Sequence, residues 1–193
     1  VAQTISYLPH FISTVVVLGI MANFLSPVDG IINRIIETLG GQSINFMIEP
    51  KWFRTLYIVS GIWQEAGWGS IIYLASLSGI DTQLYEAATV DGASKLKQLW
   101  HISIPGILPT IIIMLILNLG HMLSIGYEKI ILMYNPATYE VADVINTYVY
   151  RRGLINGEYS FGTAIGMFQS ILNFAFIIIA NRISKRVSEV SLW

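Results

Sequence analysis

The 193 residues hold no cysteine and only three histidines. Thiolate nucleophiles, disulfides and Cys-ligated metals are therefore excluded. His10, His101 and His121 stand far apart, with no HExxH spacing to make a zinc site. No G-x-x-x-x-G-K-[ST] cradle and no G-x-S-x-G elbow occurs, so neither ATP binding nor a serine nucleophile can be argued from the chain. What remains for chemistry is a set of polar side chains in apolar surroundings. Ser60, Gln64, Gly67, Trp68 and Ile71 recur at helical spacing, with Trp63 and Glu65 bordering them. Met114, Asn118, His121 and Ile125 make a second stripe. Two readings of Glu65 are open. It is a relay carboxylate of an ion-coupled transporter, or it pairs internally or hydrogen-bonds a substrate hydroxyl. A relay chain would need a second Asp, Arg or Lys in another apolar stretch, and none is there. For the tryptophans the competing reading is lipid contact, and for Asn118 it is helix packing worth about 0.6 kcal/mol.

These side chains need an apolar scaffold, and the composition supplies one. Hydrophobic residues make up 54% and charged residues 12%, about half the charge of an average soluble domain. The net charge of −1 offers no basic field for nucleic acid. Asp, Glu, Lys and Arg are absent from 1–28, 98–127 and 159–181, and 55–80 holds Glu65 alone. A membrane-crossing helix takes about 20 mostly apolar residues. The pattern predicts an all-α polytopic membrane protein with about four spans, at 9–25, 53–77, 107–125 and 161–180. The residues form one membrane domain. The first residue is Val1 and not Met, and the stretch that follows lacks the basic region of a signal peptide, so the sequence reads as the C-terminal portion of a longer protein. Basic residues do not orient it. Lys95, Lys97, Arg182, Lys185 and Arg186 fall on one side, and Arg34, Lys51, Arg54, Lys129, Arg151 and Arg152 on the other.

The connector 79–105 is the most informative segment. Asp81 is placed to cap a helix over 82–90. Asp91-Gly92 makes a turn in which Gly92 supplies the positive φ that ends a helix. Ser94 starts a second helix through His101, and Pro105 and Pro109 fit the irregular approach to the next span. The product is two short helices joined by a sharp bend between spans. It should offer Tyr85, Glu86, Ala87 and Ala88 to a partner outside the bilayer.

The text EAATVDGASKLKQLWHISIP resembles the EAA loop of binding-protein-dependent ABC importer permeases. Glu86, Ala87, Ala88, Asp91, Gly92, Ala93, Leu99, Ile102, Ile104 and Pro105 all match that pattern. The flanking FLSPVDGIIN, PKWFR, GIWQEAGWGSIIYLASLSGID and YNPATYEVADVINTYVYRRGL are similar to the carbohydrate branch of the family, in particular to its oligosaccharide and polysaccharide permeases.

The resemblance implies a MetI-like helical permease in a prokaryotic cytoplasmic membrane. Its 79–105 loop would be cytoplasmic, with Tyr85, Glu86, Ala87, Ala88, Asp91, Gly92 and Ala93 coupling to a separate ATPase. It further implies a second permease subunit, an ATPase dimer carrying ATP and Mg, and an external solute-binding protein. The chain itself would bind no cofactor and catalyse no reaction. Sugars are held by aromatic faces, amides and carboxylates, so Trp63, Gln64, Glu65, Trp68, Asn118 and His121 become candidates for the substrate path. The 139–154 stretch reads as amphipathic, with Val141, Val144, Ile145 and Tyr148 on one face. Its Arg151 and Arg152 either dock the binding protein as rim charges or lie at lipid headgroups. The alternatives are an ion-coupled secondary transporter using Glu65, or a permease of this family for a non-sugar solute.

Overall fold

A computed structural model describes residues 2–123 and 126–187. Every regular element among them is helical. The end expected for the third span, at Ile125, and the tail beyond 187 lie outside the described residues. In chain order the helices are α1 (Ala2–Tyr7), a 3₁₀ turn (Leu8–Phe11), α2 (Thr14–Phe24), α3 (Ile31–Thr38), α4 (Pro50–Ser78), α5 (Thr82–Val90), α6 (Lys95–Gln98), a π-helical turn (Leu99–Ser103) and α7 (Ile104–Gly120). After these come α8 (Tyr127–Met133), α9 (Tyr139–Ala142), α10 (Ile145–Val149), a second π turn (Tyr150–Ile155) and α11 (Tyr159–Val187).

Among the described residues, two stretches are both long and apolar enough to cross a membrane unaided: Lys95–Gly120, which joins α6, the π turn and α7, and Tyr159–Arg186 within α11. Along α11 the large apolar side chains Met167, Phe168, Ile171 and Phe174 are all exposed, as hydrocarbon-solvated side chains would be.

The first expected span is not one straight helix. The helices on either side of Ile12–Ser13 meet at 104°, and they pass the same test only as a pair. Ile12 is extended, and Ser13 begins α2 afresh, its Oγ accepting from Val16 N–H at 3.4 Å. By itself α2 has 11 residues, about 16 Å at 1.5 Å per residue, half a bilayer core. The 29 residues of α4 have ample length. That helix is interrupted in its apolar sequence by the Trp63-Gln64-Glu65 run and is not among the stretches apolar enough to cross. By length and apolarity the described residues hold two such helices, or three spans with the bent pair.

The chain divides into two compact units, Val1–Trp68 with Ile125–Ile165, and Gly69–Ser124 with Gly166–Trp193. In the first, Leu18, Phe53, Ile130, Met133 and Ala142 form the core, flanked by Leu56, Tyr57 and Val141. The 26–44 loop is tied by Asn33, which is 2% exposed. Its Nδ2 faces the carbonyls of Ser26 and Ile44, both at 2.9 Å, while its Oδ1 accepts from Ile44 N–H at 2.8 Å. In the second unit Ser76 Oγ and Thr110 Oγ1 hydrogen-bond at 2.8 Å, joining α4 to α7. Ile116 of α7 is buried at 2% exposure.

Candidate functional site

The bend between α5 and α6 forms as its residues require. Asp81 Oδ1 accepts from Gln83 N–H at 2.9 Å and starts α5. At the other end Gly92 has φ +75°. Its N–H donates to Thr89 O at 3.1 Å, and Ala93 N–H donates to Ala88 O at 2.8 Å. That pair of bonds is the Schellman closure of a helix. Ser94 Oγ then accepts from Lys97 N–H at 3.4 Å and opens α6.

Side chains hold the two helices together at both ends. Gln98 is 4% exposed. Its Nε2 donates to Thr89 Oγ1 at 2.9 Å and to Ala93 O at 3.3 Å. Farther along, Tyr85 Oη and Ser103 Oγ hydrogen-bond at 2.9 Å. The outward face is left to Glu86, Ala87, Val90, Asp91 and Gly92, all exposed, with Val90 at 87%. An open notch of about 370 Å³ lies alongside, lined by Ala88, Ala93, Lys97, Gln98, His101 and Ile102. The expected outward set therefore holds for Glu86 and Ala87. Ala88 is half-buried, and Tyr85 is corrected: its hydroxyl turns inward to Ser103.

A second correction concerns the exit from this hairpin. The helix begun by Ser94 does not stop at His101. It continues through the π turn into α7, with Ile104 N–H donating to Leu99 O. Pro105 and Pro109 lack the N–H groups that would bond back to His101 and Pro105 in a regular helix. The wider π turn accommodates the first loss while keeping the helix continuous. The α6–α7 rod thus runs from the bend directly into an apolar span.

The polar stripe of α4 grips the break before α2. Gln64 Nε2 donates to Ile12 O at 2.8 Å, satisfying a carbonyl at the kink. Glu65 Oε2 and His10 Nδ1 hydrogen-bond at 3.0 Å. Trp68 stacks on the His10 ring at 4.5 Å and receives the edge of Phe11 at 5.4 Å. Gly67 lies so close to the Ser6 backbone that a Cβ there would strike the Ser6 carbonyl. Gln64 is buried, Trp68 packs on His10 and Phe11 while 42% exposed, and Glu65 takes the internally paired option with a partner the spacing did not indicate. Trp63 is half exposed and joins none of these contacts. In the other unit Asn118 Nδ2 turns back to Met114 O at 2.8 Å and His121 ends α7. Both are exposed.

Gln64 and Glu65 also line an open cleft of about 650 Å³ together with Thr14, Tyr57, Glu128 and Lys129. Lys129 Nζ donates to Tyr57 O at 3.2 Å and sits 5.1 Å from the Tyr57 ring centre. Burial lowers the pKa of this ammonium, and the Glu65 carboxylate offsets part of that effect. The sequence pattern did not single out His10, Lys129, Val90, Gln98 or Ser103. Gln98 had a legible signal, an amide among charged neighbours in a segment otherwise read as exposed.

The 139–154 stretch is not one amphipathic helix. It breaks at Asp143-Val144, and its intended face divides: Val141 and Val144 pack on the core, while Ile145 and Tyr148 are exposed. Both arginines have partners of their own. Arg151 forks onto Asp143, with Nη1–Oδ1 at 2.9 Å and Nη2–Oδ2 at 2.6 Å. Arg152 Nε donates to Glu158 at 2.8 Å and its guanidinium lies 4.4 Å from the Phe161 ring centre. The Arg151 hydrogen bond holds Asp143 below its ordinary value of 3.8. This lock therefore stabilises the segment above pH 3.8 and is lost as pH falls through the lowered folded value. An Asp143→Asn change should raise amide exchange across 139–155 about fivefold at neutral pH, a charged hydrogen bond discounted for its partial exposure. The same change should flatten the acid-dependence of that exchange, as read by hydrogen–deuterium exchange at two pH values.

Comparison with known proteins agrees with this geometry. Residues 1–189 match the family of binding-protein-dependent transport system inner membrane components. The chain is 44% identical over 191 residues to the polygalacturonan/rhamnogalacturonan transport system permease protein YteP of Bacillus subtilis (strain 168), covering 99% of this chain and 60% of that protein. A solved bacterial alginate ABC transporter, in complex with an alginate pentasaccharide-bound periplasmic protein, superposes with a TM-score of 0.95 at 46% identity, over 99% of this chain and 66% of that one. A second structure, of a bacterial ABC transporter involved in import of the acidic polysaccharide alginate, gives 0.94 at 46% identity, over 97% of this chain and 65% of that one. The chain thus spans about 60% of the length of that Bacillus relative. Its all-helical architecture, the capped and bent hairpin leading into an apolar rod, and the match along nearly its whole length place this chain in the MetI-like family of binding-protein-dependent ABC transporter inner membrane components.

Proposed function

We propose that the chain is the permease portion of an ATP-driven importer that carries an oligosaccharide or polysaccharide-derived carbohydrate across the cytoplasmic membrane of a prokaryote. In this reading the 79–105 hairpin is cytoplasmic. Glu86, Ala87, Val90, Asp91 and Gly92 meet the ATPase subunit, while Tyr85 and Ala93 shape that surface from behind. ATP and Mg reside on the ATPase dimer, and this chain carries no cofactor. A second permease subunit completes the pore, and an external solute-binding protein delivers the sugar. Residues 1–193 act as one membrane domain with four crossings. In the first, the bent α1–α2 pair packs on the Gln64-Glu65-Trp68 face of α4. Lipid surrounds the remaining helix faces.

The observation that carries this reading is the clamped hairpin. A surface of Ala87, Val90 and Gly92 flanked by the carboxylates of Glu86 and Asp91 stands on a bend held by backbone closure and by Gln98. It is continuous with the Lys95–Gly120 rod. A push on such a surface is transmitted along the rod, because a continuous helix is stiff and the bend is braced. The absence of native cysteine in this sequence gives a direct test. An Ala87→Cys variant of the intact permease, paired with single-cysteine ATPase variants, should form a disulfide, and ATP should change its yield. Labelling of that cysteine by a membrane-impermeant thiol reagent from outside intact cells would refute the assignment.

A further inference from the structure

The start of α8, α10 with its π turn, and the first turns of α11 enclose an open pocket of about 500 Å³. Three tyrosines line it. The rings of Tyr127 and Tyr150 stack with centres 6.0 Å apart. Tyr159 is 65% exposed and joins no ring pair among the described residues, so a ligand can lie against its ring. Asn146 and Thr163 add an amide and a hydroxyl to the lining. Thr163 Oγ1 donates to Tyr159 O at 2.9 Å and keeps its acceptor lone pairs. A Cβ on Gly153 would lie 3.3 Å from the Gly162 Cα, so the π turn and α11 meet here backbone to backbone. Tyr150 and Tyr159 each stand three residues before one of these glycines, and the contact sets the spacing of the segments that carry them.

No residue lining the pocket is charged. The arginines of the π turn are engaged elsewhere, Arg151 by Asp143 at 2.6 Å and Arg152 by Glu158 at 2.8 Å. Tyr159 also opens the apolar stretch Tyr159–Arg186, which puts the pocket at the edge of the bilayer. A phospholipid headgroup would find no lining cation for its phosphate. An acyl chain would strip water from three phenols, an amide and a hydroxyl and return no hydrogen bond. A sugar ring suits both parts of the lining. Its C–H face packs on an aromatic ring, and its hydroxyls donate to and accept from the phenols, Asn146 and Thr163. Ring shape and hydroxyl groups, not charge, are what this lining reads.

We propose that the tyrosine pocket is an outer saccharide subsite, in addition to the side chains of α4 and α7 considered above, where a sugar ring rests on Tyr159 before it enters the pore. The inference rests on the carbohydrate-import reading and adds a site to it. With 79–105 cytoplasmic, the crossing at Lys95–Gly120 leaves 126–158 on the outer side, where the binding protein releases its sugar.

The test uses the complete transporter with its binding protein in proteoliposomes hydrolysing ATP. Wild type is first offered radiolabelled maltotriose, xylotriose, mannotriose and trigalacturonate, and the trisaccharide taken up becomes the probe. Thr163→Cys places a thiol in the pocket of a chain without native cysteine. Ser160→Cys places one beside Tyr159 but outside the lining. Labelling of this chain by a membrane-impermeant maleimide is followed in each. The probe should slow labelling of Thr163→Cys at least about fivefold and leave Ser160→Cys unchanged. Adding Tyr159→Ala to Thr163→Cys should raise the probe concentration for half protection about tenfold, the size of one lost aromatic contact. Tyr159→Trp keeps a ring and should shift it less. Equal slowing of both thiols, slowing of neither, or half protection unmoved by Tyr159→Ala would overturn the subsite and leave carbohydrate import standing. Protection that follows the acyl composition of the vesicle and not the sugar would do the same. Uptake of none of the four trisaccharides, with an amino acid or phosphate transported instead, would overturn the carbohydrate reading and this inference with it. Should Thr163→Cys fail to assemble, Asn146→Cys on the same lining takes its place.

Discussion

Replacing Gly92 with proline should abolish solute uptake while leaving membrane insertion and nucleotide hydrolysis by the ATPase intact. Gly92 sits at φ +75°, and a Cβ built on it meets nothing within 4 Å. The constraint is therefore backbone conformation and not crowding. Proline is locked near φ −65° and has no N–H, so it can neither adopt this bend nor donate to Thr89 O. A cost of about 3 kcal/mol would leave the native elbow populated roughly a hundredfold less. Alanine in the same position pays only the left-handed penalty of about 1–2 kcal/mol, so Gly92→Ala should retain about a tenth of the uptake. Asparagine tolerates that region better than alanine, so Gly92→Asn should come nearer wild type. The order Gly, Asn, Ala, Pro in transport per ATP hydrolysed, measured in proteoliposomes, is the expected result. Wild-type uptake by Gly92→Pro would show that the bend transmits nothing.

Gly67→Leu should be the most damaging single change to the first unit. Gly67 and Gly69 are two residues apart on α4, yet their surroundings differ. A side chain at Gly67 collides with the Ser6 backbone, and one at Gly69 meets open space. Backbone cannot rotate aside as a long side chain can. Leucine at 67 must therefore push α1 and the 3₁₀ turn off α4, separating His10 from Glu65 and Trp68 and leaving the kink carbonyl of Ile12 without Gln64. The cost is on the order of 3 kcal/mol, the upper part of the usual overpacking range. It should appear as a Tm lowered by several degrees and a smaller monodisperse fraction after detergent extraction. Gly69→Leu, in the same helix and of the same volume, should behave as wild type in both measurements.

Much of this molecule is local and was legible as such. Asp81, Gly92 and Ser94 act on N–H and C=O groups within a few residues, so the ends of α5 and the start of α6 follow from residue types and spacing. The long apolar α11 follows from the distribution of charge. The π turn before Pro105 was not legible. The two prolines signal an irregular helix start, whereas a π turn keeps the rod continuous and costs it no break. The 139–154 stretch misled for a related reason. Apolar spacing over 139–148 suits a helix, but Asp143 is drawn into a fork with Arg151, and the chain turns there to make it.

The polar residues of α4 mark the boundary between what residue order and tertiary contact decide. Their spacing alone put Ser60, Gln64 and Trp68 on one stripe, because helical periodicity is a property of the chain. Whether a stripe faces sugar, lipid or protein depends on what packs against it, and that partner lies about 55 residues earlier in the chain, as the separation of His10 from Glu65 shows. Likewise Lys129 could be counted as a charge but not placed: its ammonium meets Tyr57, 72 residues away. Residue order alone therefore determined the membrane character, the long helices and the capped bend, since each is set by solvation or by hydrogen bonds between near neighbours. The tertiary structure decided which polar groups hold the fold together, because a buried polar group takes whatever partner the folding chain brings within reach.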